Sequence, residues 1–279
     1  MPRLRRPKLG QHFLVDASYR QRIAAMLDLR PEDLVVEIGP GRGARTEMLA
    51  ERARRVVAIE LDTVLAEQLQ KKLWTESPIE VLQADILAVD LAELCRHHGA
   101  ERSFVFGNLP YYITSPIIQR LFTFRDFIRA MALVVQDEVA ERLVAAPGRR
   151  EYGYLTVLTQ LLSQPRILLA VPPGAFAPPP KVRSALVEFQ MRQTARTESL
   201  LPKAEVERFL QFVKRCFGQK RKNLPNNLAG SYSRARVELE LDHLSLAHSV
   251  RAEQLTLEEL LQLYRHLVRP LECSADLPT

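Results

Sequence analysis

The chain has 279 residues with a net charge of +6, and 47% of its residues are hydrophobic. This composition is typical of a soluble globular protein, and the length predicts about two domains. No stretch approaches the ~18 consecutive apolar residues of a membrane span. The basic start MPRLRRPKLG is not followed by an apolar run long enough for a signal peptide, so none is predicted. The three cysteines are far apart, so neither a disulfide framework nor a zinc site is predicted, and a reducing cytoplasm is expected.

Short β-rich apolar runs alternate with helical patterns over the first two thirds of the chain. Strands are predicted at LVVEI (34–38), RVVAIE (55–60), IEVLQAD (79–85), SFVFGN (103–108), AMALVVQ (130–136) and ALVEFQM (185–191). Helices are predicted at ARTEMLAERA, DTVLAEQLQKKL, SPIIQRLF and DEVAERLVAA. This alternation predicts a doubly wound α/β fold with a mostly parallel sheet.

The pattern changes after residue 203. AEVERFLQFVKRCF and TLEELLQLYRHLV have the apolar spacing of helices, and no strand signal accompanies them. The sequence therefore predicts a basic arm at residues 1–10, an α/β domain at 11–195 and a small all-helical domain at 203–279, with a linker near 191–202.

A glycine-rich loop, EIGPGRGARTE, joins the first strand to a helix. Gly39, Gly41 and Gly43 allow a tight turn and close approach of a ligand, and the helix N-terminus favours an anion. The G-x-G-x-G spacing differs from the dinucleotide pattern G-x-G-x-x-G. Glu60 ends the second strand, where a carboxylate can bind ribose hydroxyls, and Asp85 ends the third, where it can accept from an adenine amine.

These three strand ends suit S-adenosylmethionine, because its only anionic group is one carboxylate. A nicotinamide dinucleotide would also need a place for its pyrophosphate. Two structural alternatives remain: Asp85 as a helix N-cap and Glu60 as a solvated strand end.

The motif NLPY ends the fourth strand at the same predicted edge of the sheet. The side-chain carbonyl of Asn108 and the backbone carbonyl of Leu109 can accept the two hydrogens of an adenine amine, and Tyr111 can stack on the base. Pro110 offers no N–H. In such a site the protein contributes position and electrostatics, and no metal is required. The residues predict an adenine-type amino methyltransferase acting on nucleic acid, although a strand ending in a proline turn with a core tyrosine is a structural alternative.

Five segments carry a resemblance to a known family. GQHFLVD, EIGPGRG, VFGNLPYYITSPII, QDEVAERLVAAPG…EYGYLTV and FAPPPKVRSALVEF resemble the ribosomal RNA adenine dimethyltransferases, most closely the bacterial members that act on 16S rRNA. The resemblance covers nearly the whole chain. It implies a Rossmann-like, S-adenosylmethionine-dependent fold that dimethylates two adjacent adenines near the 3′ end of 16S rRNA, within the 30S subunit or its precursor. S-adenosylhomocysteine is the implied product, and a cytoplasmic monomer without membrane contact is expected.

The resemblance also assigns roles to individual residues. The cofactor contacts that it implies are His12, Leu14, Gly39, Glu60, Asp85 and Asn108. Gly41 is added to this set as part of the glycine loop. Leu109, Pro110 and Tyr111 complete the catalytic motif, and Phe176 would cover the other face of the adenine. His12 stands where many members have asparagine, and both side chains can form a hydrogen bond.

Positive charge is concentrated in two zones. Residues 1–10 hold Arg3, Arg5, Arg6 and Lys8 without an acid, residues 11–199 are balanced, and residues 200–236 hold nine basic and two acidic residues. Within the second zone the predicted RNA-binding residues are Lys214, Arg215, Lys220, Arg221 and Lys222. They predict a cationic surface for RNA phosphates, the alternative being a merely solvated face.

Three other functions are weighed against this one. An erythromycin-resistance type of enzyme, which methylates 23S rRNA, shares the glycine loop and a similar Asn-x-Pro-aromatic motif. A non-catalytic ribosome assembly factor could keep the fold, although intact Glu60, Asp85 and Asn108 disfavour a loss of catalysis. A dinucleotide oxidoreductase is the weakest alternative, because the glycine spacing does not fit and no hydride-transfer residues are found.

Overall fold

The computed structural model describes residues 12–73, 78–192 and 200–268, and the chain divides into two compact units. The sheet unit comprises the described residues up to Val144 together with Leu162–Arg192, and the helical unit comprises Ala145–Leu161 and the described residues from 200 onward. Within these ranges, every helix is too short or too polar to span a bilayer.

The described part of the sheet unit has nine strands. In chain order they are β1 (Phe13–Leu14), β2 (Leu34–Ile38), β3 (Arg55–Glu60), β4 (Ile79–Gln83), β5 (Ser103–Asn108), β6 (Ile128–Gln136), β7 (Ser163–Val171), β8 (Phe176–Ala177) and β9 (Ser184–Met191). Seven of them form one sheet in the order β4-β3-β2-β5-β6-β9-β7, and β1 pairs with β8. The strands from β4 to β6 are parallel, whereas β9 is antiparallel to both of its neighbours. The predicted α/β fold with a mostly parallel sheet is confirmed.

Helices flank the sheet. They are α1 (Ala17–Met26), α2 (Thr46–Ala50), α3 (Thr63–Lys72), α4 (Leu91–His97), α5 (Thr114–Thr123) and α6 (Asp137–Val144). Asp16, Asp62 and Asp90 cap the starts of α1, α3 and α4, because each carboxylate accepts hydrogen bonds from two backbone N–H groups of the first turn.

The register of the central strands sets the position of the site. Every residue of β2 is buried, as expected for a β-branched run covered on both faces. Ile38 at its end is paired with Ile59 of β3 and Gly107 of β5. The residues directly after this paired row are Gly39, Glu60 and Asn108. Since the strands are parallel, all three lie at one edge of the sheet.

The helical unit contains α7 (Tyr154–Leu162, whose last residue belongs to the sheet unit), α8 (Val206–Cys216), α9 (Leu224–Leu228), α10 (Arg234–His243) and α11 (Leu257–Val268). Its core holds the rings of Phe209, Phe212 and Tyr264, whose centroids lie 5.4 to 6.5 Å apart. Phe212 is therefore a core residue of the helical unit.

The helical unit also includes residues 145–161, which the sequence prediction kept in the α/β domain. The backbone N–H of Gly148 donates to the carbonyl of Glu253 at 2.6 Å, and the rings of Tyr152 and Phe217 lie 6.0 Å apart. These contacts join residues far apart in sequence, so local pattern does not reveal them. The predicted basic arm and residues 193–199 of the predicted linker lie outside the described residues.

Candidate active site

The glycine loop turns between β2 and α2 with backbone angles that suit glycine. The φ angles of Gly39, Gly41 and Gly43 are +66°, +58° and +74°. A Cβ atom at position 41 would lie 2.8 Å from a ring carbon of Phe13. The loop therefore needs glycine at 41 both for its conformation and for space.

Glu60 faces this loop from the end of β3. Its Oε2 accepts from the backbone N–H of Gly41 at 3.1 Å, and its Oε1 accepts from the N–H of Asp62 at 3.0 Å. The residue is only 2% exposed, and burial raises the pKa of its carboxyl group in spite of these hydrogen bonds. No basic side chain of the described chain pairs with it, so the carboxylate remains a strong acceptor for a ligand's hydroxyl groups.

Asn108 is oriented by the segment that precedes β1. Its Nδ2 donates to the backbone carbonyl of His12 at 2.8 Å, while Oδ1 makes no hydrogen bond within the described residues. The His12 ring is itself held, with Nδ1 2.7 Å from the carbonyl oxygen of Pro178. The amide thus presents a carbonyl oxygen that can accept from another group.

The rest of the NLPY motif is fixed by hydrogen bonds on both sides. The N–H of Leu109 donates to the carbonyl of Val134 at 3.0 Å, and the Thr114 hydroxyl donates to the carbonyl of Pro110 at 3.0 Å. The Tyr111 hydroxyl lies 2.7 Å from Oγ of Ser184. Backbone and ring are therefore preorganised.

One face of the Tyr111 ring is already covered. The His12 ring stacks on it with centroids 5.3 Å apart and an interplanar angle of 25°. Burial raises the pKa of Tyr111, so the ring stays a neutral phenol at physiological pH. A base stacking on Tyr111 would use the opposite face or displace His12.

Two adjoining clefts open at this edge of the sheet. The first encloses about 450 Å³ and is lined by His12, Phe13, Gly39, Gly41, Arg45, Glu60, Asn108, Leu109, Pro110 and Tyr111. The second encloses about 500 Å³ and is lined by Ile38, Gly39, Ile59, Glu60, Leu61, Ala84, Asp85, Ile86, Pro110, Tyr112, Ile113 and Ile117. The structure therefore brings most of the predicted catalytic and cofactor residues together at one site.

Asp85 lies in the second cleft with one oxygen already engaged. Its Oδ1 accepts from the N–H of Leu87 at 2.9 Å, which closes a turn, while the residue also lines the cleft. The turn does not continue into a helix, since α4 begins only at Leu91. Asp85 is therefore a turn residue at the cleft and not the helix N-cap of the structural alternative.

Two predicted site residues are core residues that line neither cleft. Leu14 and Phe176 are 4% and 3% exposed and face each other across the β1–β8 pair. Both pack in the hydrophobic cluster that also contains Phe104 and Phe106. A contact of Leu14 with the cofactor and a role for Phe176 against a base both stay predictions.

A buried ion pair behind the glycine loop escaped the sequence analysis. Glu37, in the middle of β2, is 0% exposed, and its Oε2 accepts from the Thr46 hydroxyl at 2.6 Å. Its Oε1 lies 3.7 Å from Nε of Arg45, which also lines the first cleft. Burial raises the pKa of Glu37, and the nearby Arg45 opposes this. The available signal was a glutamate inside the apolar run LVVEI.

Comparison with known proteins covers nearly the full length of the chain. The model of the family described as "Ribosomal RNA adenine dimethylase" matches residues 3–268. The chain belongs to this family. "Ribosomal RNA small subunit methyltransferase A" of Acidobacterium capsulatum is 44% identical over 94% of this chain and 91% of its own length. The protein of the same name from Koribacter versatilis is 42% identical, with 94% of each chain covered.

Solved structures support the same fold. The 23S rRNA methyltransferase ErmE has a TM-score of 0.71 and 34% identity, covering 92% of this chain and all of its own. A dimethyladenosine transferase from Plasmodium falciparum has a TM-score of 0.75 and 24% identity, covering 90% and 96%. The sheet unit is thus the Rossmann-like sheet of an rRNA methyltransferase, and the protein is a methyltransferase enzyme that uses S-adenosylmethionine.

The residues at the edge of the sheet fit this cofactor. The cradle at Gly41 has no room for a Cβ atom. Among the described residues, Glu60 is a buried acceptor without a basic partner, and Oδ1 of Asn108 accepts no hydrogen bond. Apolar Ile59, Leu61 and Ile86 beside Asp85 give the second cleft the character of an adenine site.

The predicted RNA-binding residues lie in the helical unit. Lys214 and Arg215 are in the last turn of α8, and Lys220, Arg221 and Lys222 follow it; all five are exposed. The Lys220 ammonium donates to the backbone carbonyl of Arg150. This contact brings exposed Arg149 and Arg150 beside the predicted residues, and the sequence analysis missed them because they lie about 70 positions earlier.

Proposed function

We propose that this enzyme dimethylates the exocyclic amines of two adjacent adenines near the 3′ end of 16S rRNA, within the 30S subunit or its precursor. Relatives named as small-subunit methyltransferases, at 44% and 42% identity over more than nine tenths of both chains, carry this choice of substrate. By the same likeness the enzyme acts on ribosomes in the cytoplasm, as a monomer and without a membrane partner.

Asn108 and Leu109 hold the amine in the proposed reaction. Oδ1 of Asn108 and the backbone carbonyl of Leu109 accept its two hydrogens, which favours a pyramidal nitrogen with an available lone pair. His12 contributes through its carbonyl, which fixes the Asn108 amide so that the oxygen is presented. The nitrogen gives up one proton to solvent water for each methyl group that it gains from the cofactor. Since the amine is only positioned, these residues act by orientation and electrostatics.

Each cofactor residue at the strand ends is proposed to bind one part of S-adenosylmethionine. S-adenosylmethionine, when bound, supplies an electrophilic methyl group on a good leaving group, so the displacement needs no metal ion. Gly39 and Gly41 admit the methionine part, Glu60 binds the ribose hydroxyls, and Asp85 accepts from the adenine of the cofactor. His12 and Asn108 complete the first cleft, and S-adenosylhomocysteine is the product.

The five predicted basic residues of the helical unit are proposed to bind RNA phosphates, and Arg149 and Arg150 extend this cationic surface. All seven are exposed. Such contacts position the RNA and make affinity depend on salt.

A 23S rRNA substrate is the second candidate, because ErmE is 34% identical over 92% of this chain. The experiment is therefore a choice of substrate. The enzyme is incubated with labelled S-adenosylmethionine and either 30S or 50S particles that lack the modification. We expect label only in the 30S particles and, after digestion, only in dimethyladenosine. Label confined to 50S particles would replace the 16S assignment with the 23S one.

Asn108→Ala tests the catalytic assignment in the same assay. Loss of a positioned acceptor is expected to lower the single-turnover rate by about 10²- to 10³-fold. Gln119→Ala is the matched control, since it removes an exposed amide from α5 of the same unit. A rate for Asn108→Ala within a few-fold of the control would mean that the amide does not hold the reacting amine.

A further inference from the structure

Arg45 is a buried cation at the wall of the first cleft. It is the N-cap residue of α2, directly after the glycine loop, and is 9% exposed. Its guanidinium carbon lies 5.6 Å from the centroid of the Phe106 ring, which holds the planar group from one side. Because Arg45 lines the cleft, its donors can reach a bound molecule.

The hydrogen-bonding capacity of Arg45 is not met by the described part of the chain. The separation between its Nε and Oε1 of Glu37 is 3.7 Å, too long for a hydrogen bond. Both atoms are fully buried without a hydrogen-bond partner. A guanidinium carries five N–H donors, and the buried Nε–H of Arg45 is one that still awaits an acceptor.

The charged groups around Arg45 in the described part of the chain do not complete its hydrogen bonds. Glu37 is the carboxylate paired with Arg45 there, and its other oxygen is engaged by Thr46. Arg20 is close enough for its positive charge to oppose that of Arg45. Glu60 is in turn close enough for its negative charge to act on Glu37. A buried guanidinium with an unmet Nε–H donor is costly unless a ligand completes its hydrogen bonds.

We propose that Arg45 binds the carboxylate of the methionine part of S-adenosylmethionine. The inference rests on the proposed use of this cleft by the cofactor and adds a charged residue to the glycine loop. The planar fork of arginine matches a carboxylate with two parallel hydrogen bonds, and that carboxylate is the only anion of the cofactor. With the ligand in place, Arg45 lies between two carboxylates, and Glu37 serves to position it.

The test compares two ligands that differ only in this group. S-adenosylmethionine and its decarboxylated form are titrated by calorimetry into wild type, Arg45→Gln and Arg45→Lys, without RNA. We expect Arg45→Gln to weaken binding of S-adenosylmethionine by about 10- to 100-fold and that of the decarboxylated form by less than about two-fold. Arg45→Lys should restore part of the loss, since it keeps the charge without the fork.

Arg42→Gln is the matched control, because Arg42 belongs to the same loop but is exposed. Its binding of both ligands should equal that of wild type. Glu37→Gln/Arg45→Gln separates the two roles of Arg45: regained affinity for S-adenosylmethionine would show that Arg45 only neutralises Glu37, and would overturn the proposal.

An equal loss for both ligands in Arg45→Gln would overturn it as well. The failure of the proposed function has a different result, because a wild-type chain that binds neither ligand would not be a methyltransferase of this type.

Discussion

The sheet unit and the helical unit both bury a glutamate, but they treat it differently. Glu60, 2% exposed, accepts only from backbone N–H groups, and burial raises the pKa of its carboxyl group. Glu240, 7% exposed, has one oxygen 2.9 Å from Nδ1 of His243 and 3.1 Å from Nδ1 of His266. Burial acts to raise the pKa of Glu240, but the two imidazoles outweigh it and the pKa is lowered.

The difference separates a ligand site from a structural contact. The helical unit supplies side-chain partners for its buried charge, so Glu240 joins α10 to α11 through His243 and His266. In the sheet unit, the pKa values of Glu60 and Glu37 are raised. The buried Nε–H of Arg45 has no hydrogen-bond partner among the described residues. Such incompletely compensated groups cluster at functional sites, because the ligand is the missing partner.

Among the variants that test this comparison, Glu60→Gln is expected to have the largest effect, which is on affinity for S-adenosylmethionine. The amide keeps an acceptor but loses the charge, so affinity for S-adenosylmethionine should fall by about 10- to 100-fold, as for a lost hydrogen bond to a charged group. Calorimetric titration at pH 8 measures this. Glu67→Gln on α3, an exposed glutamate of the same unit, should bind as wild type does.

The same variant makes a prediction about stability with a definite sign. A carboxyl group whose folded pKa is raised holds its proton better in the folded state, so stability decreases as pH rises from the ordinary value of about 4.3 through the raised one. Glu60→Gln removes that decrease. The stability of the ligand-free variant relative to wild type should therefore increase as pH rises from about 4 to about 8, and a relative stability that does not change with pH would contradict the idea that the charge of Glu60 is kept at a cost for binding.

The strand ends of the sheet unit could be predicted because parallel strands meet at one edge. Gly39, Glu60, Asp85 and Asn108 each follow an apolar run, so their proximity requires only the α/β alternation. The structure adds what such a pattern cannot contain. Asn108 is oriented by donating a hydrogen bond to the backbone carbonyl of His12, which is 96 positions away.

The predictions were weaker where burial and long-range packing decide. The burial of Leu14 and Phe176 could not be foreseen, because their two-residue strands pair with each other and carry both side chains into the core; their roles in the site stay predictions. Strand β7 was missed because its exposed polar residues break the apolar pattern. The five basic residues were predicted from charge alone, whereas Arg149 and Arg150 lie beside them only through the folding of residues 145–161 within the helical unit.

The cationic surface should respond to mutation in small, separate steps, unlike the cleft. Arg221→Gln or Lys222→Gln is expected to weaken binding to the RNA substrate by about five-fold at ~0.1 M salt, and each should reduce the slope of log affinity against log salt by about 0.7 to 0.9. Lys71→Gln, an exposed residue at the end of α3, is the control. Filter binding over a salt series measures both quantities, and an unchanged slope would remove that residue from the RNA contact.

Glu240→Gln has the smallest expected effect and tests the structural half of the comparison. The variant loses the charge that attracts His243 and His266, so the free energy of unfolding at pH 7 should fall by about 1 kcal/mol. Because the folded pKa of Glu240 is lowered, its contribution is present above the ordinary glutamate pKa of about 4.3 and is lost as pH falls through the lowered value. Denaturant unfolding followed by circular dichroism should therefore show wild type and variant converging near the acid limit. Glu207→Gln, an exposed change on α8, should run parallel to wild type at every pH. If the difference in free energy of unfolding between Glu240→Gln and wild type were also the same at every pH, the histidine contacts would add nothing to the stability of the folded state. The contrast with Glu60 would then rest on burial alone.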